Sequence, residues 1–237
     1  MSDEIEKEKN KNYENGISFI VPCRNEEQYI KDTVIEITKS VVDLIDYEIL
    51  IIDDCSSDQT GNVVRQLRLN NPKIKLLNNN IHLGYGGSFI KALKLAKKEF
   101  INLIPGDNAV SSSEIKKMLT DIYNYDLIIN IIENKRAIHR RIFSKIFTII
   151  VNIVFGHNLQ YYNGIGVIRT KVSNSLNITS TSPFFMAEII LKNLKLKLKY
   201  DQRHAIHIER KFGKSSIFNF KTIVQTISDL IKTRITY

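Results

Sequence analysis

Four short stretches of the chain carry the side chains best suited to chemistry, and each follows an apolar run. Pro22, Arg24, Asn25, Glu26 and Glu27 follow the first run, and Asp53, Asp54, Ser56 and Asp58 the second. His82, Gly84, Tyr85, Gly86 and Gly87 follow the third, and Gly106, Asp107 and Asn108 the fourth. Carboxylates accept from imino N–H groups and ribose hydroxyls, glycines let a backbone come close to a ligand, and a further carboxylate can ligate a hard cation. This inventory suits a nucleoside diphosphate bound with Mg²⁺ or Mn²⁺. Acidic groups beside a diphosphate would repel it without such a metal. The plainer alternative is a set of loops, since two aspartates can simply close a strand and Asp107-Asn108 is a common turn pair.

The elements that must position these residues alternate regularly. Ile17 to Val21, Glu48 to Ile52, Ile74 to Leu77, Phe100 to Ile104 and Asp126 to Ile131 read as strands, the first stopping at Pro22. Between them, Glu27 to Val42, Ser57 to Leu69, Ser88 to Lys97 and Ser113 to Tyr123 show helical spacing. Strand and helix in alternation imply a parallel sheet covered on both faces, and ligands of such sheets bind at the carboxyl ends of the strands. After residue 132 come longer helices and basic loops, with helices at Phe184 to Leu194 and Ile217 to Lys232 and a short strand at Lys197 to Asp201. No internal repeat or Gly/Ser linker divides the chain. The expected organisation is a disordered polar tail over 1–15, a catalytic domain over 16–216, and an amphipathic C-terminal helix over 217–237.

Composition narrows the function classes. With 237 residues and 43% hydrophobic content, the chain can bury a large core. Cys23 and Cys55 give neither a disulfide framework nor a zinc spacing, which fits a reducing cytosolic setting. The first residues lack the apolar stretch of a signal peptide, and Ile146 to Phe155 is too short to cross a bilayer. Pro22-Cys23-Arg24 stands where a dinucleotide fingerprint needs glycines, and no Walker lysine motif is present. The net charge of +9 suits an anionic membrane surface or a phosphorylated substrate. Nucleic acid is set aside because no recognisable binding module accompanies the charge. The basic residues gather in two clusters: Lys135, Arg136, Arg140, Arg141 and Lys145, and then Lys192 to Lys199 with Arg203, Arg210, Lys211 and Lys214.

VPCRNEE over Val21 to Glu27, IDDCSSD over Ile52 to Asp58 and HLGYGG over His82 to Gly87 resemble, in order and spacing, the family 2 glycosyltransferases. The resemblance implies the GT-A fold, a Rossmann-like, mostly parallel sheet flanked by helices in one domain. It extends to the branch of dolichyl- and polyprenyl-phosphate sugar synthases through Tyr162-Asn-Gly164, Phe185-Met-Ala-Glu188 and Arg210 to Ser215, and covers roughly residues 17 to 216. It implies that Pro22, Asn25 and Glu26 or Glu27 border the nucleoside, and that Asp54, with Asp53, contacts a uracil or guanine base. Gly84, Gly86 and Gly87 would shape the nucleotide-sugar pocket, and Asp107 would hold the metal. The family's Asp-x-Asp pair departs here to Pro105-Gly106-Asp107, leaving one carboxylate.

The implied reaction is an inverting transfer of a sugar from a UDP- or GDP-linked donor. A sugar hydroxyl as acceptor needs a carboxylate base, whereas a lipid phosphate is already ionised and needs cationic positioning instead. Arg210 and Lys214 resemble the phosphate-contacting pair of the lipid-phosphate branch, and Glu188 is a candidate base or orienting group. Three readings follow: transfer to polyprenyl phosphate at the cytoplasmic face of a membrane, transfer to a glycan hydroxyl, and a catalytically inactive nucleotide-sugar binding module.

Overall fold

In the computed structural model, which describes residues 13–42, 44–133, 138–208 and 220–237, the alternating half forms nine elements. They are β1 (Glu14–Cys23), α1 (Ile30–Val41), β2 (Tyr47–Asp53), α2 (Thr60–Asn70), β3 (Ile74–Asn78), α3 (Gly84–Leu93), β4 (Lys98–Leu103), α4 (Ser112–Leu119) and β5 (Leu127–Glu133). The second half adds α5 (Ile138–Phe155), β6 (Ile165–Arg169), α6 (Thr170–Ser175), α7 (Phe185–Lys195), β7 (Tyr200–Ile206) and α8 (Phe220–Thr236).

Side chains alternate across a strand, so a run that is apolar at every position must be covered on both faces. In β2, Ile49 and Ile51 enter one core with Val34 and Ile37 of α1, Val64 of α2 and Ile115 and Met118 of α4. Leu50 and Ile52 enter the other, with Phe89 of α3, Val151 and Phe155 of α5, and Phe185 and Ile189 of α7. The strands form one sheet in the order β3-β2-β1-β4-β6-β5-β7. All pairings are parallel except those of β6, which lies antiparallel between β4 and β5.

Several elements differ from the sequence pattern. β1 runs through Pro22 to Cys23. Pro22 lies beyond Ile20↔Leu103, the last β1–β4 pair, so its missing N–H breaks no rung on that side. At its other end β1 takes in Glu14 and Asn15 from the expected tail, and Glu14 N donates to Lys97 O at 2.9 Å. Residues 1–12 of that tail lie outside the described residues. β7 begins at Tyr200, and β6 has no counterpart among the expected strands. The C-terminal helix is tied into the domain, with Asp229 accepting from Ser180 Oγ at 2.6 Å and the Tyr237 ring packing edge-on against Phe155.

Candidate active site

The loops after β1 and β2 are laced together by hydrogen bonds. Asn25 N donates to Ser56 Oγ at 3.0 Å, and Asn25 Oδ1 accepts from Ser57 N at 2.8 Å. Glu26 N donates to Thr60 Oγ1 (2.8 Å), and Glu27 N to Asp58 Oδ2 (3.2 Å). Glu27 Oε2 accepts in return from Gln59 N at 2.8 Å. The polar residues expected to border a nucleoside thus also build the rim that would receive it. Asn25, Cys55 and Asn108 all have left-handed backbone, with φ of 55°, 61° and 54°. Such strain persists only where surroundings over-determine it.

Asp54 occupies the centre of this edge and is nearly fully buried. Its Oδ1 accepts from Asn79 Nδ2 at 2.7 Å and Leu83 N at 2.8 Å. Its Oδ2 accepts from Gly84 N at 2.8 Å and pairs with His82 Nδ1 at 2.7 Å. Burial pushes the Asp54 carboxyl up, but the Leu83 and Gly84 amides, Asn79 and His82 outweigh it and hold the group below the usual carboxylate range. Arg24 Nη1 lies 3.0 Å from His82 Nε2. A guanidinium only donates, so Nε2 accepts and Nδ1 carries the proton directed at Asp54. Asp54, expected at the base, is in this arrangement the carboxylate that caps α3. This explains why α3 starts at Gly84 rather than Ser88: a negative group satisfies its first amides and complements its dipole.

The three glycines have different roles. Gly84 has φ +73°, and a Cβ there would meet nothing within 4 Å. Gly86 and Gly87 are buried in the first turn rather than lining an open wall. A Cβ on Gly86 would lie 2.7 Å from Thr181 O and 2.9 Å from Phe185 Cδ1. The segment against which they pack is held by Glu188, whose carboxylate is buried. It accepts from Thr179 N (3.1 Å), Thr179 Oγ1 (3.0 Å) and Ser180 N (2.8 Å), and pairs with Lys192 Nζ at 2.6 Å. Of the two roles weighed for Glu188, base or orienting group, this geometry suits the orienting one.

Asp107 lies on the loop after β4, half-buried, in a turn clamped by Thr33. Thr33 Oγ1 donates to Gly106 O at 3.0 Å and accepts from Asn108 N at 2.9 Å. Gly106 is required there, since a Cβ would stand 2.7 Å from Cys23 Cβ. Asp53 Oδ1 accepts from Ser56 N at 3.0 Å. Among the described residues, no three His, Cys, Asp or Glu side chains are placed to hold a metal by themselves. One carboxylate fits a cation that draws its other ligands from a diphosphate and water, as Mg²⁺ commonly does. Arg210 and Lys214 lie outside the described residues.

Sequence reasoning missed Thr33, Thr60 and Asn79, which set the loops although none belongs to a motif, and gave His82 no role as a partner of Asp54. Asn79 alone had a signal, its place just past β3. Part of the second basic cluster proves internal: Lys192 pairs with Glu188, while Arg203 pairs with Asp201 (2.8 Å) and donates to Thr120 O (2.6 Å).

A doubly covered α/β sheet whose carboxyl edge carries these laced loops is the frame of a GT-A nucleotide-sugar transferase. Residues 18–175 match the model for glycosyl transferase family 2, and the chain belongs to that family. Over 100 residues it is 33% identical to the poly(ribitol-phosphate) beta-N-acetylglucosaminyltransferase TarS of Staphylococcus aureus, 42% of this chain and 17% of that one. Over 104 residues it is 31% identical to the GalNAc(5)-diNAcBac-PP-undecaprenol beta-1,3-glucosyltransferase of Campylobacter jejuni, 44% of this chain and 33% of that one. The matches therefore span a third or less of these relatives' lengths. The structure superposes on residues 1–349 of S. aureus TarS with UDP-GlcNAc at a TM-score of 0.64 and 18% identity, covering 92% of this chain and 66% of that one. It also superposes on Mycobacterium tuberculosis glucosyl-3-phosphoglycerate synthase with Mn²⁺, UDP-glucose and phosphoglyceric acid. There the TM-score is 0.68 at 14% identity, covering 99% and 84% of the two chains.

Proposed function

We propose that this glycosyltransferase transfers a sugar, with inversion, from a UDP- or GDP-linked donor to a polyprenyl phosphate at an anionic membrane surface. The laced loops after β1 and β2 receive the nucleoside, with Pro22 and Asp53 at the floor and Asn25, Glu26 and Glu27 at the rim. Asp54 presents the start of α3, with Gly84 facing open space. Asp107 holds Mg²⁺ or Mn²⁺, whose chemistry is to neutralise charge on the departing diphosphate. Arg210 and Lys214 position the acceptor phosphate.

The observation that carries the acceptor assignment is the state of Glu188. A hydroxyl acceptor needs a base, and this acidic residue of the acceptor-side helix is already bonded to Thr179, Ser180 and Lys192. A phosphate acceptor needs none; the substrate named for the C. jejuni relative is carried on an undecaprenyl diphosphate, but its β-1,3 linkage forms at a sugar hydroxyl and so favours the membrane setting rather than the phosphate acceptor. The second reading, transfer to a glycan hydroxyl, is supported by the polymer named for TarS.

Incubation of the protein with radiolabelled UDP- and GDP-sugars, Mn²⁺ and a polyprenyl phosphate tests the proposal. Label should move into the organic phase. Transfer only to a water-soluble glycan would establish the second reading, and nucleotide-sugar binding without transfer the inactive module. Asp107→Ala should lower metal-dependent transfer on the order of a hundredfold. An unchanged rate and metal dependence would overturn its assignment.

A further inference from the structure

Two neighbouring helices carry apolar residues on the side opposite their buried face. On α5, Ile142, Phe143, Ile146, Ile149, Ile150 and Ile153 are all 45% exposed or more, at spacings i, i+1, i+4, i+7, i+8 and i+11. These positions fall in one stripe of a helix. Val151 and Phe155 of the same helix lie in the core, so both sides are apolar. On α8, Ile223, Val224, Ile227, Ile231 and Ile235 are similarly exposed, while Asp229 and Thr233 are buried. α8 ends against α5, where Tyr237 OH lies 2.8 Å from His157 Nε2. These eleven residues are half of the 22 large exposed hydrophobics, so the apolar surface of the described residues is concentrated here.

Charge selects the occupant. Arg141 and Lys145 on α5 and Lys232 and Arg234 on α8 are exposed beside the apolar rows. α5 has no acidic residue, and the only one on α8, Asp229, is buried against Ser180. A second copy would bring two basic faces together in a chain of net charge +9. The rows are also almost wholly aliphatic, without the Trp and Tyr anchors common at protein interfaces. Among the described residues no helix is long and apolar enough to cross a membrane. An apolar row flanked by lysine and arginine on a helix already docked to a domain suits lying in a lipid interface.

We infer that the outward faces of α5 and α8 form one docking surface for an anionic lipid bilayer. This deepens the lipid-phosphate reading by naming the surface that would bring the site to its acceptor, and it rests on that reading only for its purpose. Each exposed basic residue near such a surface strengthens partitioning on the order of fivefold, and salt screens the effect.

Sedimentation of the full chain with vesicles lacking polyprenyl phosphate tests the inference. Vesicles containing phosphatidylglycerol should retain the protein at least about tenfold better than phosphatidylcholine alone. Ile146→Glu with Ile153→Glu, and separately Ile227→Glu, should abolish retention while circular dichroism and nucleotide affinity stay unchanged. Arg141→Glu with Lys145→Glu should weaken retention on anionic vesicles only. Absence of retention, or retention indifferent to these variants, overturns the inference. So does a dimer in solution that the same variants dissociate, in the absence of vesicle binding. Lipid product without vesicle retention would sink the docking surface and spare the acceptor reading, whereas retention without lipid product would do the reverse.

Discussion

Replacing Asp54 with asparagine keeps its volume but turns one acceptor oxygen into a donor. All four of its partners donate: Asn79 Nδ2 and Leu83 N to one oxygen, Gly84 N and His82 Nδ1 to the other. Whichever way the new amide turns, its NH₂ faces two donors in a buried site. Leaving a buried donor unmet costs about 1–3 kcal/mol, so two give about 2–6 kcal/mol. In a domain of this size each kcal/mol lowers Tm by about 2–4 °C, which puts the loss at roughly 4–24 °C. Thermal unfolding followed by circular dichroism, without nucleotide at pH 7, reads it directly. Asp53→Asn is the control, because Asp53 Oδ1 receives one bond from Ser56 N and its loss should cost only about 1 kcal/mol. A direct base contact predicts the opposite: ligand-free Tm within about 1 °C of wild type and weakened nucleotide binding. That outcome would refute the loop-building role of Asp54.

Gly86→Ala should destabilise by about 1–3 kcal/mol in urea unfolding despite the better helix propensity of alanine, because its Cβ would meet Thr181 O and Phe185. Gly84→Ala should cost about 1 kcal/mol through its positive φ alone. Glu188→Gln loses the Lys192 pair and sets an amide against donors, so stability should fall by about 2–4 kcal/mol. The pH–rate profile of the surviving activity should keep its shape, and loss of its acidic limb would instead mark Glu188 as a base. Asp54 and Asp58 are both held below the ordinary carboxylate value, Asp58 because Thr60 and the Glu27 amide outweigh its burial. Their contribution to stability is therefore present above about pH 4 and lost as pH falls through the lowered values. The urea midpoint should be flat from pH 7 to about 5 and decline below about 4, and a midpoint unchanged at pH 3 would contradict the assignment.

The alternating half of the fold was legible because β1 to β5 announce themselves by apolar runs and α1, α2 and α4 by helical period. β6 was not. Ile165 to Arg169 is five residues long with a glycine inside, and only the slot between β4 and β5 makes it a strand. The start of α3 was misplaced because glycines at a strand end read as loop, while the carboxylate that caps them lies 30 positions earlier in the chain. The acidic residues of the site were visible by type and place. Their division of labour was not, since it depends on which amide each oxygen meets. Thr33 illustrates the limit: it reaches Gly106 across 73 residues and belongs to no pattern.

The lacing of the loops also changes what an approaching anion would encounter. Counted from the sequence, the edge presents Glu26, Glu27, Asp53, Asp54, Asp58 and Asp107 as six negative charges. Glu27, Asp53, Asp54 and Asp58 each accept from at least one backbone N–H, and Asp54 shares its charge with the α3 dipole and His82. Each of these four carboxylates keeps its net charge but has an oxygen met by a positive amide hydrogen, so the potential close to the loops is less negative than that of bare carboxylates. A diphosphate would therefore feel a weaker barrier than the formal count implies. The edge can keep an acidic composition, with the hydrogen-bonding capacity that carboxylates bring, and still admit a polyanion.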